Sequence, residues 1–313
     1  MTATTAEAAQ RRQQGLGLGL AVVAAVGLGL AVVVSRFAFE GGTNGLTVAM
    51  TRGLLTAGGL ALFCLVTGRE FGLPLRDWLH VLGLGLLAVP MFYGNIGAVQ
   101  FIPISLTALL FFTYPPMIAL LTAVVLRERV PAAKALAILV AFAGLALMLG
   151  VSLDRVDPRG IALALAAAVS CAWNAVWLVR KLKGADIIVV TFHMALIAGV
   201  ALSGITVLGG HLQWPTATVG WAGLAGVAVL QSLAVPIYFV ALPKIGALKS
   251  GIVTNVQPVV SILAAFVVFG EVLSPVQGLG GLLVLGGLWL AQWHDARALR
   301  REMGREMGRE MKQ

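Results

Sequence analysis

Few residues of this 313-residue chain could take part in acid–base or metal chemistry. Its 13 acidic residues all lie in loops, at the termini or at the ends of apolar segments. No group of His, Cys, Asp or Glu residues has the spacing of metal ligands, and no glycine-rich phosphate loop follows a strand pattern. The basic side chains inside apolar segments are Arg52 and His193. The sequence therefore predicts no enzyme, no cofactor and no metal site.

A stripe of polar residues runs along one predicted helix near the C-terminus. Its members recur at the spacing of a single helical face. They are Ser250, Thr254, Gln257, Pro258 and Ser261. Polar groups that face lipid are costly, so this stripe must face protein or water. We interpret it as a cavity wall, with hydrogen bonding between helices as the alternative.

Aromatic rings beside amide groups form a second kind of candidate site. One predicted helical face carries Ser170, Trp173, Asn174 and Trp177. Such a face suits an amphipathic solute that stacks and forms a few hydrogen bonds, and packing of the Trp rings against lipid is the alternative. Further candidates within spans are Tyr93, Tyr114, Tyr238, Asn95 and Gln231. A buried tyrosine hydroxyl needs a partner, so we expect the tyrosines to line the same cavity, whereas either amide could instead be structural.

Two basic and two proline residues complete the candidate set. Arg52 could anchor a carboxylate or phosphate, or extend to the lipid headgroups about two turns away. His193, in the corresponding part of the second half, could be a structural hydrogen-bonding group or a proton carrier. Pro115 and Pro258 each lie near the middle of an apolar segment, where proline bends a helix. We expect paired bends that open alternately, with simple packing kinks as the alternative.

The composition places these residues in a membrane. Hydrophobic residues make up 59% of the chain, charged residues make up 11%, and the mean hydropathy is +0.95. Soluble domains carry about 25% charged residues. The first apolar run is too long for a cleavable signal peptide. A window of about 20 residues predicts an all-helical membrane protein with spans Gly15–Ser35, Leu46–Thr67, Trp78–Val99, Leu106–Leu126, Ala132–Gly150, Gly160–Arg180, Ile187–Gly209, Thr218–Leu242, Ser250–Phe269 and Pro275–Trp293.

The distribution of basic residues predicts the orientation. Of the 22 Lys and Arg residues, 18 fall on the side of both termini, three fall on the other side, and Arg52 lies within a span. This asymmetry indicates cytoplasmic N- and C-termini, and we expect the chain to lie in a bacterial inner membrane. The net charge of +9 is therefore explained by topology, and we expect the lipid bilayer rather than nucleic acid as the partner.

The two halves of the chain resemble each other. A shift of 143 residues aligns Pro115 with Pro258, Glu128 with Glu271, and Gly144 with Gly287, and a shift of 144 aligns Arg36 with Arg180. Each repeat contains five predicted helices, and an odd number requires the copies to lie upside down relative to each other. The predicted organisation is a cytoplasmic leader (1–14), a first repeat (15–150), an inverted second repeat (160–293) and a basic cytoplasmic tail (294–313).

These features resemble the EamA-type members of the drug/metabolite transporter superfamily. The segments that carry the resemblance are TYPPMIALLTAVVLRERV with AFAGLALML, VQPVVSILAAFVVFGEVLS with VLGGLWLA, and the Arg52 context AMTRGLL. The resemblance covers nearly the whole chain and implies a ten-helix export or exchange carrier for small metabolites. Within the superfamily the chain is most similar to the YddG-type amino-acid exporters.

We therefore expect a secondary transporter that moves small metabolites out of the cell by alternating access, as a facilitator or exchanger. Amino acids, aromatic or otherwise neutral, are the expected small-molecule substrates. Drug-like cations, sugars or nucleosides are the alternative, and an intramembrane enzyme or a channel is a weaker one. Because the inverted halves already supply both gates, the sequence is compatible with a functional monomer.

Overall fold

The chain folds as a helical bundle, as its apolar segments require. In hydrocarbon every backbone N–H and C=O must be paired internally, and a helix achieves this within one segment. The computed structural model describes residues 3–124, 131–150, 157–182, 184–254, 256–287, 289–290 and 293, with no strand among them. Its helices are α1 (Ala3–Glu40), α2 (Gly45–Val66), α3 (Leu75–Gly97), α4 (Ile104–Phe111), α5 (Tyr114–Val124), α6 (Ala132–Gly150), α7 (Pro158–Lys181), α8 (Ile187–Leu208), α9 (Thr218–Thr254), α10 (Val256–Phe269) and α11 (Pro275–Gly287).

The helices account for the predicted membrane crossings. Helices α1, α2, α3, α7, α8 and the first part of α9 are each long and apolar enough to cross a membrane. The shorter apolar helices α4 to α6, α10 and α11 lie in the remaining predicted spans. The prediction of an all-helical membrane protein with ten spans is confirmed.

The fourth predicted span, Leu106–Leu126, differs from the prediction because it consists of two helices. Helix α4 ends at Phe111, and α5 begins at Tyr114. A proline ring collides with the carbonyl group four residues earlier, and for Pro115 that residue is Phe111. In α5 the same proline occupies the first turn, where its missing N–H costs nothing. The expected bend is therefore a helix break just before Pro115.

The eighth and ninth predicted spans also differ, because the backbone is helical across their predicted connection. Helix α9 continues to Thr254. A methyl group on Gly17 would nevertheless lie 2.8 Å from the Ile245 side chain, and one on Gly29 would lie 2.8 Å from the Gln257 carbonyl oxygen. A straight helix would carry Gln257 about 18 Å beyond Ile245, away from Gly29. The chain therefore reverses between Ile245 and Gln257, and two crossings remain.

Helices α2 and α8, which are equivalent in the two repeats, run antiparallel. At one end Arg69, which follows α2, forms an ion pair with Asp186, which precedes α8. At the opposite end the Asn44 side chain, before α2, donates a hydrogen bond of 2.6 Å to the carbonyl oxygen of His211, after α8. The start of each helix thus meets the end of the other, as an inverted repeat requires.

Two further equivalent pairs have the same arrangement. Ile104, at the start of α4, meets Glu271, just after the end of α10. Helices α6 and α11 pack so closely that a methyl group on Gly144 would lie 2.5 Å from the carbonyl oxygen of Gly280, and one on Gly287 would lie 2.7 Å from that of Ala137. The later residue of α6 meets the earlier residue of α11, so this pair is antiparallel too. The fold therefore has two inverted five-span halves.

Side-chain caps fix where several helices begin. A cap accepts a hydrogen bond from a backbone N–H that has no partner inside the helix. The pairs are Asn44 with Thr47, Asp157 with Arg159 and Asp186 with Ile188, each at 2.9 Å. The Arg159 side chain also hydrogen-bonds to the Asp157 carboxylate, which holds the pKa of that carboxyl below its ordinary value.

A carboxylate ties three helices together at the end that charge predicts to be extracellular, which we call the outer end. Glu271 accepts hydrogen bonds from Arg36 at 2.7 Å and from the backbone N–H groups of Ile104 and Ser105 at 3.1 Å. The Ser105 hydroxyl donates a further bond of 3.1 Å. These four residues, which we call the Glu271 cluster, join α1, α4 and α10. An anion at the N-terminus of α4 is also favoured by the helix dipole.

Glycine at position 53 is required by the close contact between α2 and α8. A methyl group there would lie 3.0 Å from Cα of Gly199. A methyl group on Gly58 of the same helix would have no neighbouring atom within 4 Å. We expect Gly53→Leu to destabilise the protein by about 1–3 kcal/mol through overpacking, and Gly58→Leu to have little effect. Thermal unfolding of the purified variants in detergent measures both. Equal melting temperatures would contradict the close packing of these helices.

Loss of the Glu271 carboxylate should weaken the outer end. Glu271→Ala leaves buried donors on α4 without an acceptor, and one such donor costs about 1–3 kcal/mol. The matched control is Glu40→Ala, because the one pair that Glu40 forms with a described residue is an exposed pair with Arg36 at 3.2 Å, worth at most about 0.5 kcal/mol. In thermal unfolding, the melting temperature of Glu271→Ala should be well below that of Glu40→Ala. A similar loss in both variants would argue against the cluster.

Candidate functional site

A cavity of about 380 Å³ lies between the two halves. Its walls come from α1, α2, α3, α4, α5, α7, α9 and α10. The polar side chains that line it are Arg52, Asn95, Tyr114, Gln231, Tyr238, Gln257 and Ser261. Apolar and aromatic groups fill the spaces between them, among them Leu28, Val32, Met91, Phe111 and Phe112. The site combines a mostly apolar wall with a few polar groups, as small-molecule sites do.

Helical spacing explains how these residues come together. Met91 and Asn95 are one turn apart on α3, and Gln231 and Tyr238 are two turns apart on α9. On each helix the two side chains therefore share one face. The break between α4 and α5 brings Tyr114 to the same wall. The structure thus gathers seven of the candidate residues around one cavity, namely the seven polar residues that line it.

The polar stripe on α10 serves both of the purposes considered for it. Gln257 and Ser261 line the cavity. The Ser261 hydroxyl also donates a hydrogen bond of 2.9 Å to the carbonyl oxygen of Gly29 on α1. Thr254 ends α9, and its side chain lies outside the described part of the structure. The stripe therefore belongs to a cavity wall and to a contact between helices.

Arg52 is the buried charge of this cavity. The residue is 6% exposed, and its guanidinium carbon lies 5.0 Å above the ring of Phe92. Its Nε atom has no hydrogen-bond partner in the described part of the chain, and no described carboxylate pairs with it. The Asn95 Oδ1 atom is likewise buried without a described partner. The cavity wall therefore holds polar groups whose hydrogen-bonding capacity the described protein does not fill.

Trp173 and Trp177 lie outside this cavity. They line a separate, mostly apolar cavity of about 270 Å³ between α3 and α7, together with His80. The two indole rings stack with centroids 6.3 Å apart. Asn174 is buried, and its amide donates a hydrogen bond of 3.1 Å to the Ser170 carbonyl oxygen. The structure therefore places this aromatic face away from the polar wall of the central cavity.

Tyr93 also lies apart from the other two tyrosines. A methyl group on Gly97 would lie 2.8 Å from its ring, which packs near the end of α3 and does not line the cavity. Two residues along a helix correspond to a rotation of about 200°, so Tyr93 lies nearly opposite Met91 and Asn95. Of the three tyrosines, Tyr114 and Tyr238 therefore line this cavity and Tyr93 does not, and a role of Tyr93 in binding stays a prediction.

His193 has the surroundings of a structural histidine. It is 6% exposed, and its Nδ1 lies 2.9 Å from the Val189 carbonyl oxygen, one turn earlier in α8. The ring also contacts Trp78 edge-on, with centroids 4.7 Å apart. It does not line the cavity. Of its two interpretations, the hydrogen-bonded one fits this placement.

The two predicted hinge residues occupy different local positions. Pro115 follows the break between α4 and α5, and Pro258 lies in the first turn of α10. Pro115 therefore follows a helix break and does not bend a continuous helix, whereas the start of α10 adjoins Asn255, which lies outside the described residues. Their roles in gating stay predictions.

Sequence reasoning missed several residues of the wall. Phe111 and Phe112 come immediately before the helix break, and Cys171 lies on α7. The run FFTYPP contained a signal for the two phenylalanines, because the prolines that force the break also orient the residues before it. Cys171 gave no such signal, since a cysteine in an apolar segment reads as a small hydrophobic residue.

Comparison with known proteins agrees with this fold. A solved structure titled "Crystal structure of protein" is similar over 92% of this chain and 99% of that chain, with a TM-score of 0.61. Its sequence identity of 20% limits that likeness to the fold. No curated protein matches the chain. The family model described as "EamA-like transporter family" matches residues 15–150 and 158–293. With one match in each half and most of its length covered, the chain belongs to the EamA-like transporter family, a family of multi-pass membrane transporters in the drug/metabolite transporter superfamily.

Proposed function

We propose that this transporter is a secondary carrier that exports neutral amino acids, aromatic ones among them, by alternating access. The observation that carries the proposal is the central cavity between the inverted halves. Its volume of about 380 Å³ falls within the range of about 300–1,000 Å³ typical of small-molecule sites. Its amides, phenols and aromatic rings suit a solute with one polar end and one apolar side chain.

The arrangement of charge favours a facilitator or exchanger. Coupling to protons or sodium commonly uses a carboxylate inside the membrane. No described carboxylate lines the cavity, and Glu40, Glu271 and Asp186 lie at helix ends. The same feature disfavours drug-like cations, because an ammonium group would meet Arg52 and no carboxylate there.

The outer end offers a route that the Glu271 cluster can close. An outer cavity of about 480 Å³ is lined by Arg36 and Phe39 of α1, and the central cavity is lined by Leu28 and Val32 of the same helix. Val32 and Arg36 are one turn apart, so the two cavities follow one face of α1. Arg36 also binds Glu271. Separation of α1, α4 and α10 at this cluster would join the two cavities.

The remaining parts of the proposal follow from topology. The excess of Lys and Arg on one side supports cytoplasmic termini in a bacterial inner membrane. Each copy of the chain carries both inverted halves around its own cavity. We therefore propose that one copy in the bilayer is sufficient for transport.

Counterflow in proteoliposomes tests the substrate class. Vesicles that contain the full chain are preloaded with one unlabelled amino acid, and uptake of labelled L-phenylalanine is followed. We expect saturable counterflow with several neutral amino acids, because the cavity binds them at either side of the membrane in turn. No counterflow with any amino acid in a folded preparation would overturn this class, and sugars, nucleosides and drug-like cations would then be tested in the same vesicles.

Two alanine variants locate the site. Gln257→Ala removes a side chain from the cavity wall, and loss of one hydrogen bond should raise the KM for phenylalanine about 2- to 10-fold. Trp173→Ala alters the separate cavity between α3 and α7, away from the proposed substrate. The KM should therefore stay within about twofold, which is less than the change expected when one substrate hydrogen bond is lost. A large rise in the KM for Trp173→Ala, with no change for Gln257→Ala, would instead assign the substrate site to the cavity between α3 and α7.

A further inference from the structure

We infer that Arg52 binds the carboxylate of the transported solute, so that the cavity selects its substrates by the carboxylate and not by the amino group. This inference rests on the proposed function for the identity of the substrate. It adds which chemical group the cavity recognises and which residue recognises it. It also predicts transportable solutes other than amino acids, namely monocarboxylates with an apolar side chain.

The first step is the burial of an uncompensated charge. Arg52 is 6% exposed and lines the central cavity. A buried charge that lacks a partner is strongly unfavourable, which is why charged residues inside a membrane mark functional pathways. Two arginines at helix ends have such partners: Arg36 pairs with Glu271, and Arg69 pairs with Asp186. Arg52 alone among these three lacks a described carboxylate, so the missing partner can come from the solute.

The second step is the geometry around the guanidinium. Its carbon lies 5.0 Å above the Phe92 ring, a distance at which a ring stabilises a cation. That contact stabilises the Arg52 side chain beside the ring. Asn95 lies one turn after Phe92 on α3, and its buried Oδ1 has no described partner. A polar solute bound at Arg52 would therefore have an amide within reach.

The third step is the choice of anion. A guanidinium presents its N–H donors in a planar fork that matches a carboxylate. A phosphate with two charges would need several cations, and Arg52 is the sole cationic side chain that lines the described cavity. One fixed positive charge thus matches one carboxylate.

The fourth step concerns the amino group of an amino acid. An ammonium ion is best held by a carboxylate, and none lines the described cavity. The amide oxygens and aromatic rings of the wall can accept it, but they accept other donors equally well. Removal of the amino group from a substrate should therefore cost less affinity than removal of its carboxylate.

A competitor series on the unchanged protein tests the selection directly. Three phenylalanine analogues separate the two groups: 3-phenylpropionate has only the carboxylate, 2-phenylethylamine has only the amine, and phenylalaninamide has its carboxylate blocked. Binding is followed in detergent by the protection of Cys171 from a maleimide. Cys171 lines the cavity and Cys64 is fully buried, and a Cys171→Ala variant confirms which thiol reacts. We expect phenylpropionate to protect at concentrations within about tenfold of phenylalanine, and the two analogues without a free carboxylate to need at least about tenfold more than phenylpropionate.

Substitution of Arg52 tests the residue. Arg52→Gln should weaken protection by phenylalanine about 10- to 100-fold, the range expected for loss of a charge-assisted hydrogen bond. Arg52→Lys keeps the positive charge but lacks the planar fork of donors, and it should weaken protection less than Arg52→Gln does. The matched control is Arg76→Gln, because Arg76 is exposed at the start of α3. Thermal unfolding of each variant shows that it is folded, and the competitor series needs no variant at all.

The outcomes distinguish this inference from the proposed function. Equal protection by the amine and the carboxylate analogues, or unchanged protection in folded Arg52→Gln, would overturn the role of Arg52 even if amino acids are transported. Protection by carboxylates without amino-acid counterflow would instead overturn the proposed function and keep the anchor. Failure of phenylalanine and of every analogue to protect Cys171, together with no amino-acid counterflow, would overturn both.

Discussion

The close antiparallel contact between equivalent helices of the two halves is the constraint on which the cavity depends. Helices α2 and α8 meet where Gly53 faces Gly199, and α6 and α11 meet where Gly144 faces Gly280. Small residues allow this approach without a hydrophobic driving force, which lipid does not supply. Because these contacts fix the spacing of the halves, larger side chains on α3, α9 and α10 leave a cavity between them.

Charge is arranged around this packing in a second, equally restrictive way. Ion pairs at helix ends join the halves at both faces of the bundle, Arg69 with Asp186 at one end and Arg36 with Glu271 at the other. These pairs lie where water and backbone N–H groups lower the cost of burial. Arg52 departs from the pattern, since it lies seven residues into α2 and beside the cavity. A helix end accounts for Arg36 and Arg69, and the bound carboxylate that we infer would account for Arg52.

Hydropathy and repetition predicted the spans and the inverted halves, because both depend on composition along the chain. The helix break before Pro115 was also within reach of the sequence, since the clash with Phe111 is local. Helical rotation could likewise have separated Tyr93 from Asn95. Helical rotation could not assign Trp173 and Trp177 to the separate cavity between α3 and α7, because the spacing of residues on α7 does not show which neighbouring helix each face contacts. The Glu271 cluster joins residues more than 160 positions apart, and no local pattern carries that information.

A single fixed cation in the cavity has a consequence for the transport cycle. The empty cavity carries the unpaired charge of Arg52, and enclosing that charge away from water is costly. In the proposed cycle a bound carboxylate neutralises it, and we therefore expect a lower barrier to reorientation for the loaded carrier than for the empty one. Net export requires the empty carrier to return, whereas exchange requires only loaded carriers to turn. The anchor therefore favours exchange over net flux, and the ratio of counterflow to net efflux from the same vesicles measures that preference: a ratio near one would contradict it.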